Sequence, residues 1–79
     1  MAKTAIVTGA GTGIGKAVAI ALAGAGWNTV FCGRRKDVLD QAAGEAGGNT
    51  LAIAADVTKP EDVDRLFHET VERFGRIDL

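Results

Sequence analysis

Glycine occupies every second position from 9 to 15, in the stretch Thr8-Gly9-Ala10-Gly11-Thr12-Gly13-Ile14-Gly15, and the chain obeys a different periodicity on each side of it. Before it, Thr4-Ala5-Ile6-Val7-Thr8 is a short β-rich run. After it, Ile14, Ala17, Val18, Ala21, Leu22 and Ala25 recur at helical spacing, which predicts a helix from Gly13 to about Ala25 with that stripe facing inward. A glycine-rich turn from strand into helix lets the backbone bend tightly. It also leaves amide N–H groups at the positive end of a helix dipole with no Cβ in the way, so the turn is suited to hold a phosphate.

The same alternation continues. Thr29-Val30-Phe31-Cys32 is an uncharged run that reads as a strand buried on both faces. Val38, Leu39, Ala42, Ala43 and Ala46 mark a second helix, stopped by Gly47-Gly48, and Leu51-Ala52-Ile53-Ala54 reads as a third buried strand. Thr58 followed by Glu61 is the pattern of a capping box, with Pro60 in the first turn. Val63, Leu66, Phe67, Thr70, Val71 and Phe74 then form the inward stripe of a third helix that ends at Gly75. Arg76-Ile77-Asp78-Leu79 resembles the approach to a fourth strand. A βαβαβα order predicts an α/β fold with a parallel sheet and crossover helices. For a nucleotide-binding sheet of this kind the expected strand order is 3-2-1, with the fourth strand beside the first.

Composition narrows the chemistry. The 79 residues allow one small domain, and a chain of this size buries only about 60% of its unfolded surface. Nine basic against ten acidic residues give a net charge of -1, so there is no basic face for nucleic acid. No apolar run approaches the roughly 20 residues of a membrane helix. No signal-peptide pattern follows Met1, and the single cysteine, Cys32, has no partner for a disulfide. These features lead to the expectation of a soluble cytoplasmic protein without a metal site. Serine and tyrosine are absent altogether, so neither a serine nucleophile nor a tyrosine acid can come from these residues.

Two phosphate-loop motifs fail on counting. The P-loop would need glycine at Ala10 and a hydroxyl at Ala17. The common G-x-G-x-x-G/A fingerprint places Ile14 or Lys16 at its last position. What remains is Thr-Gly-x-x-x-Gly-Ile-Gly directly after the first strand. In this the chain resembles the short-chain dehydrogenase/reductase family, over essentially its whole length. The resemblance implies the N-terminal half of a Rossmann-type doubly wound sheet, with Gly9, Thr12, Gly13 and Ile14 in the cofactor loop. It implies an adenine site at Asp56, whose carboxylate would meet the amino group, and at Val57, whose backbone would meet the ring nitrogens.

The end of the second strand decides the cofactor. A carboxylate there accepts hydrogen bonds from the ribose hydroxyls of NAD, whereas an arginine pairs with the 2′-phosphate of NADP. Here Gly33 stands at the acid's place and Arg34 and Arg35 follow. The expected cofactor is NADP in preference to NAD, with Arg34 the first partner of the phosphate and Arg35 the second. Thr12 stands where many NADP-using relatives carry a basic residue.

The family's activity is hydride transfer between a nicotinamide and a carbonyl or alcohol. Its Tyr-x-x-x-Lys pair, catalytic serine and Asn-Asn-Ala-Gly segment have no counterpart in residues 1–79. The resemblance therefore implies that residues 1–79 are a partial NAD(P)-binding domain that stops before the fourth strand. The parent would be a short-chain oxidoreductase acting on a small carbonyl or alcohol, and these residues alone would be inert. The competing class is a non-catalytic nucleotide sensor or interaction module. With no fourth strand, the edge of the first strand would lie open, so the chain is expected to self-associate, by edge pairing or by exchange of its third helix. His68 reads as a solvated helix residue, Cys32 as core, Trp27 as packing at a helix end and Lys16 as an exposed lysine.

Overall fold

The computed structural model describes residues 2–79. Its elements run β1 (Thr4–Thr8), α1 (Gly13–Gly24), β2 (Asn28–Gly33), α2 (Lys36–Ala46), β3 (Thr50–Ala54) and α3 (Pro60–Phe74). The strands form one parallel sheet with β2 between β1 and β3, which is the expected 3-2-1 order. Thr8 lies opposite Cys32, and Gly33 opposite Ala54, so all three strands deliver their C-terminal ends to one edge of the sheet.

Side-chain alternation along each strand divides the core in two. Val7, Phe31 and Ala52 point to the face covered by α1 and α2, where they meet Ala19, Leu39, Ala42 and Ala43. Ile6, Val30, Cys32, Leu51 and Ile53 point to the other face, which α3 covers with Leu66 and Phe74. Helices on both faces make this a doubly wound α/β sheet. β2 is buried from Thr29 to Cys32, as its uncharged sequence requires. β3 departs from expectation: only Ile53 is buried, because β3 is an edge strand and α3 leaves its outer margin open.

α1 presents a different face from the one its periodicity suggests. Ile14 is 84% exposed and Val18 46%, while Ala19 is fully buried. The reason lies in the loop. Gly15 abuts the Gly9 carbonyl so closely that a Cβ would collide with it, which fixes the Gly15–Ala19 side of the helix against the sheet. In a helix this rich in alanine, that single contact outweighs the stripe of larger side chains.

The start of α3 is also corrected. Lys59, not Thr58, is the N-cap residue, and no side chain caps the helix. Thr58 instead gives its hydroxyl to Asp56 Oδ1 at 2.6 Å and its amide to the same oxygen at 2.9 Å. The Asp56 carboxylate takes both the amide and the hydroxyl of Thr58, whereas a capping box would give only its amide a carboxylate acceptor. The C-terminus behaves as expected: Gly75 adopts φ 82° and its amide reaches Val71 O at 2.7 Å. Leu66 and Thr70 of the α3 stripe are buried, but Phe67 and Val71 are each 49% exposed.

Residues after α3 turn back along the free edge of β1. Asp78 N and Leu79 N both donate to Thr4 O, at 2.8 and 3.2 Å, and Ile6 N donates to Leu79 O at 2.8 Å. The fourth-strand position beside β1 is thus entered. The edge expected to be open is covered from Thr4 to Ile6.

Candidate nucleotide-binding site

The candidate site lies where the three strands end. Gly9 and Gly13 hold φ of 64° and 61°, a region that costs other residues strain, and a Cβ on either would meet nothing within 4 Å. Their role is backbone shape, with open space above the loop. Gly11 has a packing role: a Cβ there would lie 2.8 Å from Val38 Cγ1. Ala10 is buried and its amide reaches Cys32 O at 3.1 Å, tying the loop to β2. Thr12 occupies the N-cap position of α1 in extended conformation, and its side chain makes no cap hydrogen bond. The first amides of α1 therefore keep their donors unspent within the helix.

Two concavities meet at Arg34. One of about 220 Å³ is bounded by Gly9, Gly11, Thr12, Arg34 and Arg35. The other, of about 240 Å³, is bounded by Gly9, Arg34, Asp56, Val57 and Thr58. Six of the eight residues singled out from sequence thus surround two adjoining spaces, while Gly13 and Ile14 border neither. Arg35 pairs with Asp37 at 3.3 Å; Arg34 has no ion-pair partner among the described residues. The two hydrogen bonds from Thr58 hold the Asp56 carboxyl below the usual carboxylate range, and the nearby Arg34 charge adds to this in smaller measure. Asp56 is accordingly ionised near neutral pH, with Oδ1 engaged by Thr58 and Oδ2 left as an acceptor.

This arrangement suits an adenine dinucleotide. A loop without Cβ atoms, backed by a helix N-terminus, accommodates phosphate oxygens. A free guanidinium borders the same space, and an ionised carboxylate stands one cavity away. Asp62 and Arg65 complete the surroundings and were not legible as site residues: the Asp56 amide donates to Asp62 Oδ2 at 2.8 Å, and Arg65 Nη2 donates to Ala54 O at 2.6 Å. In sequence they are only charges on a helix.

The remaining candidates fall outside the site. Lys16 forms an ion pair with Glu45 of α2 at 2.7 Å and so turns away from the loop. His68 is exposed, 3.5 Å from Glu72. Cys32 is fully buried, and burial raises its thiol pKa. Trp27 lies under Lys3, whose Nζ is 5.8 Å from the ring centroid. A larger concavity of about 540 Å³ runs between β3 and the outer stripe of α3; none of the eight residues singled out from sequence lines it, although Ala54 and Arg65 do. Among the described residues no helix is long and apolar enough to cross a membrane, and no cluster could hold a metal ion.

Known proteins resemble this chain in sequence and in fold. The family model described as short chain dehydrogenase matches residues 3–79. A hydroxynaphthalene reductase-like protein, Arp2, from Metarhizium acridum is 42% identical over 82 residues, which are 98% of this chain and 30% of that protein. The crystal structure of 3-ketoacyl-(acyl-carrier-protein) reductase from Brucella melitensis, complexed with NADH, superposes with a TM-score of 0.92 at 39% identity, covering 96% of this chain and 31% of its own. A short chain dehydrogenase/reductase from Burkholderia phymatum in complex with NAD gives a TM-score of 0.92 at 28% identity, over 96% of this chain and 28% of that one. The chain thus spans about a third of the length of the relatives it matches.

Proposed function

Since the chain belongs to the short chain dehydrogenase family, we propose that it forms the NADP(H)-binding N-terminal part of an oxidoreductase acting on a small carbonyl or alcohol. The bound nicotinamide would supply or accept the hydride. The residues of this chain serve binding. Gly9, Thr12, Gly13 and the first turn of α1 receive the pyrophosphate, with Ile14 beside it. Asp56 and the Val57 backbone take the adenine, and Arg34 with Arg35 takes the 2′-phosphate. Residues 1–79 carry no acid/base group for the reaction and turn over no substrate by themselves. Self-association through the exposed apolar residues of α3, and a cytoplasmic location, complete the reading.

The observation that carries the preference for NADP is Arg34. It borders both concavities without an ion-pair partner, and β2 ends in Gly33 with no carboxylate to repel a phosphate. Calorimetric titration with adenosine 2′,5′-bisphosphate and with ADP tests it. The bisphosphate should bind more tightly, and Arg34→Ala should remove the difference while Arg35→Ala keeps most of it. Equal or tighter binding of ADP would point to NAD. Binding of neither would favour an interaction module.

A further inference from the structure

The Asp56–Val57 segment has no regular structure of its own, yet it is held from two sides. Thr58 fixes the Asp56 carboxylate through Oδ1. From the other side Asp62, in the first turn of α3, accepts the Asp56 amide at 2.8 Å. Arg65 lies one turn further on and donates to the Ala54 carbonyl at 2.6 Å. It also lies 3.9 Å from Asp62 and 3.2 Å from Glu69. The residue between the two gripped groups, Ala55, is itself bonded through its amide to Gly33 O at 2.8 Å. Two successive peptide groups at the end of β3 are therefore fixed, Ala54–Ala55 at both its carbonyl and its amide and Ala55–Asp56 at its amide, and each is held by a charged side chain of α3.

A carboxylate in the first turn of a helix has an ordinary use in offsetting the helix dipole. Asp62 does more than that use requires, because its Oδ2 is spent on an amide outside the helix. Without that bond the Asp56 amide would turn to water, and the peptide plane that carries the Asp56 side chain would be free to rotate. Asp56 Oδ2 and the Val57 backbone both depend on that plane.

We propose that Asp62 is a positioning residue of the nucleotide site, holding the Asp56 amide so that Asp56 Oδ2 and the Val57 backbone face the adenine, with Arg65 bracing it from the Ala54 carbonyl. This rests on the nucleotide reading above. Its consequence is selective: adenine recognition depends on Asp62, and phosphate binding at the glycine loop does not.

Nuclear magnetic resonance titration of the 79-residue chain with AMP and, separately, with inorganic pyrophosphate distinguishes the outcomes. Asp62→Ala should weaken AMP binding by about tenfold, the worth of one hydrogen bond, and leave pyrophosphate unchanged. Asp62→Asn keeps an acceptor and loses the charge, so it should restore AMP binding. The Asp56 amide should exchange faster with solvent in Asp62→Ala and not in Asp62→Asn. Unchanged AMP affinity in Asp62→Ala would overturn the proposal. So would an equal loss for both probes, which is the mark of general destabilisation, or failure of Asp62→Asn to rescue, which is the mark of a dipole effect. If the unaltered chain bound neither probe, the nucleotide reading would fall first and this inference with it.

Discussion

Arg76 donates two hydrogen bonds to Asp78, from Nε to Oδ2 at 2.8 Å and from Nη2 to Oδ1 at 2.6 Å, and Asp78 Oδ2 also accepts the Thr4 amide at 2.9 Å. The pair thereby joins the chain after α3 to the start of β1, in register with the backbone bonds from Asp78 and Leu79 to the same edge. The Arg76 hydrogen bonds, and after them the Thr4 amide, hold the Asp78 carboxyl below the usual carboxylate range.

The sign of the resulting pH dependence follows from linkage. A carboxyl with a lower pKa in the folded state than in the unfolded chain binds fewer protons when folded, so its contribution to stability rises with pH. The contribution is complete above the unfolded value of about 3.9 and is lost as pH falls through the depressed folded value. Asp78→Asn should lower stability at neutral pH and flatten the acid limb of a denaturation curve below about pH 4. Asp56 is shifted in the same direction and supplies part of that limb, so some slope should persist in the variant. An acid limb identical to that of the unaltered chain would remove the role assigned to Asp78.

Two glycines should respond to alanine in opposite directions. Gly15→Ala forces a methyl group into the Gly9 carbonyl, a backbone atom that cannot move without the loop. The cost should be about 1–3 kcal/mol in a urea melt, with loss of phosphate binding. Gly44 lies inside α2, where a Cβ would meet nothing within 4 Å and φ is not positive. Gly44→Ala should stabilise the chain by about 0.5–1 kcal/mol, because only the helix propensity changes.

The fold was readable because each element carries its own signal. A β-rich run, a turn and a helical stripe follow one another three times, and parallel pairing leaves few arrangements for such a chain. Arg34 and the Gly9 loop were legible as candidate site residues because each follows a strand, and parallel strands bring their ends together; Asp56 was reached through the family resemblance. What sequence could not show depended on contacts across elements. The inward face of α1 is chosen by the approach of Gly15 to Gly9, not by the larger side chains of the helix. The Thr58 hydroxyl could accept an amide at the helix start or donate to the Asp56 carboxylate, and it donates because the loop brings that carboxylate to 2.6 Å. Asp62 and Arg65 look like surface charges until α3 is laid beside the end of β3.

Leu66 is the principal anchor of α3. It is 2% exposed and packs with Val30, Cys32 and Ile53, whereas its neighbour Phe67 is half exposed. Leu66→Ala should cost about 2–5 kcal/mol, a large share of what a chain of this size can hold. Hydrogen exchange should then quicken along α3 before it quickens in β2. A uniform increase over all elements would mean that α3 does not open separately from the sheet.

The exposed residues of α3 lead to a prediction about assembly. Phe67 and Val71 lie one turn apart, and each leaves about half its surface to water, at 49% exposure. Burying such side chains contributes roughly 25 cal/mol for each Å² removed from water, which favours pairing of two such faces. The β1 edge is the weaker route to self-association, since Thr4 and Ile6 already bond to residues 78 and 79. Because each side chain already leaves about half its surface in water, replacing both Phe67 and Val71 with glutamate should cost the fold less than Leu66→Ala does. The same change should move sedimentation at tens of micromolar from dimer to monomer. A variant in the β1 edge, Thr8→Pro, should leave the dimer intact. If the glutamate variant remained dimeric while Thr8→Pro did not, association would run through the strand edge. A monomeric unaltered chain would dispose of both routes.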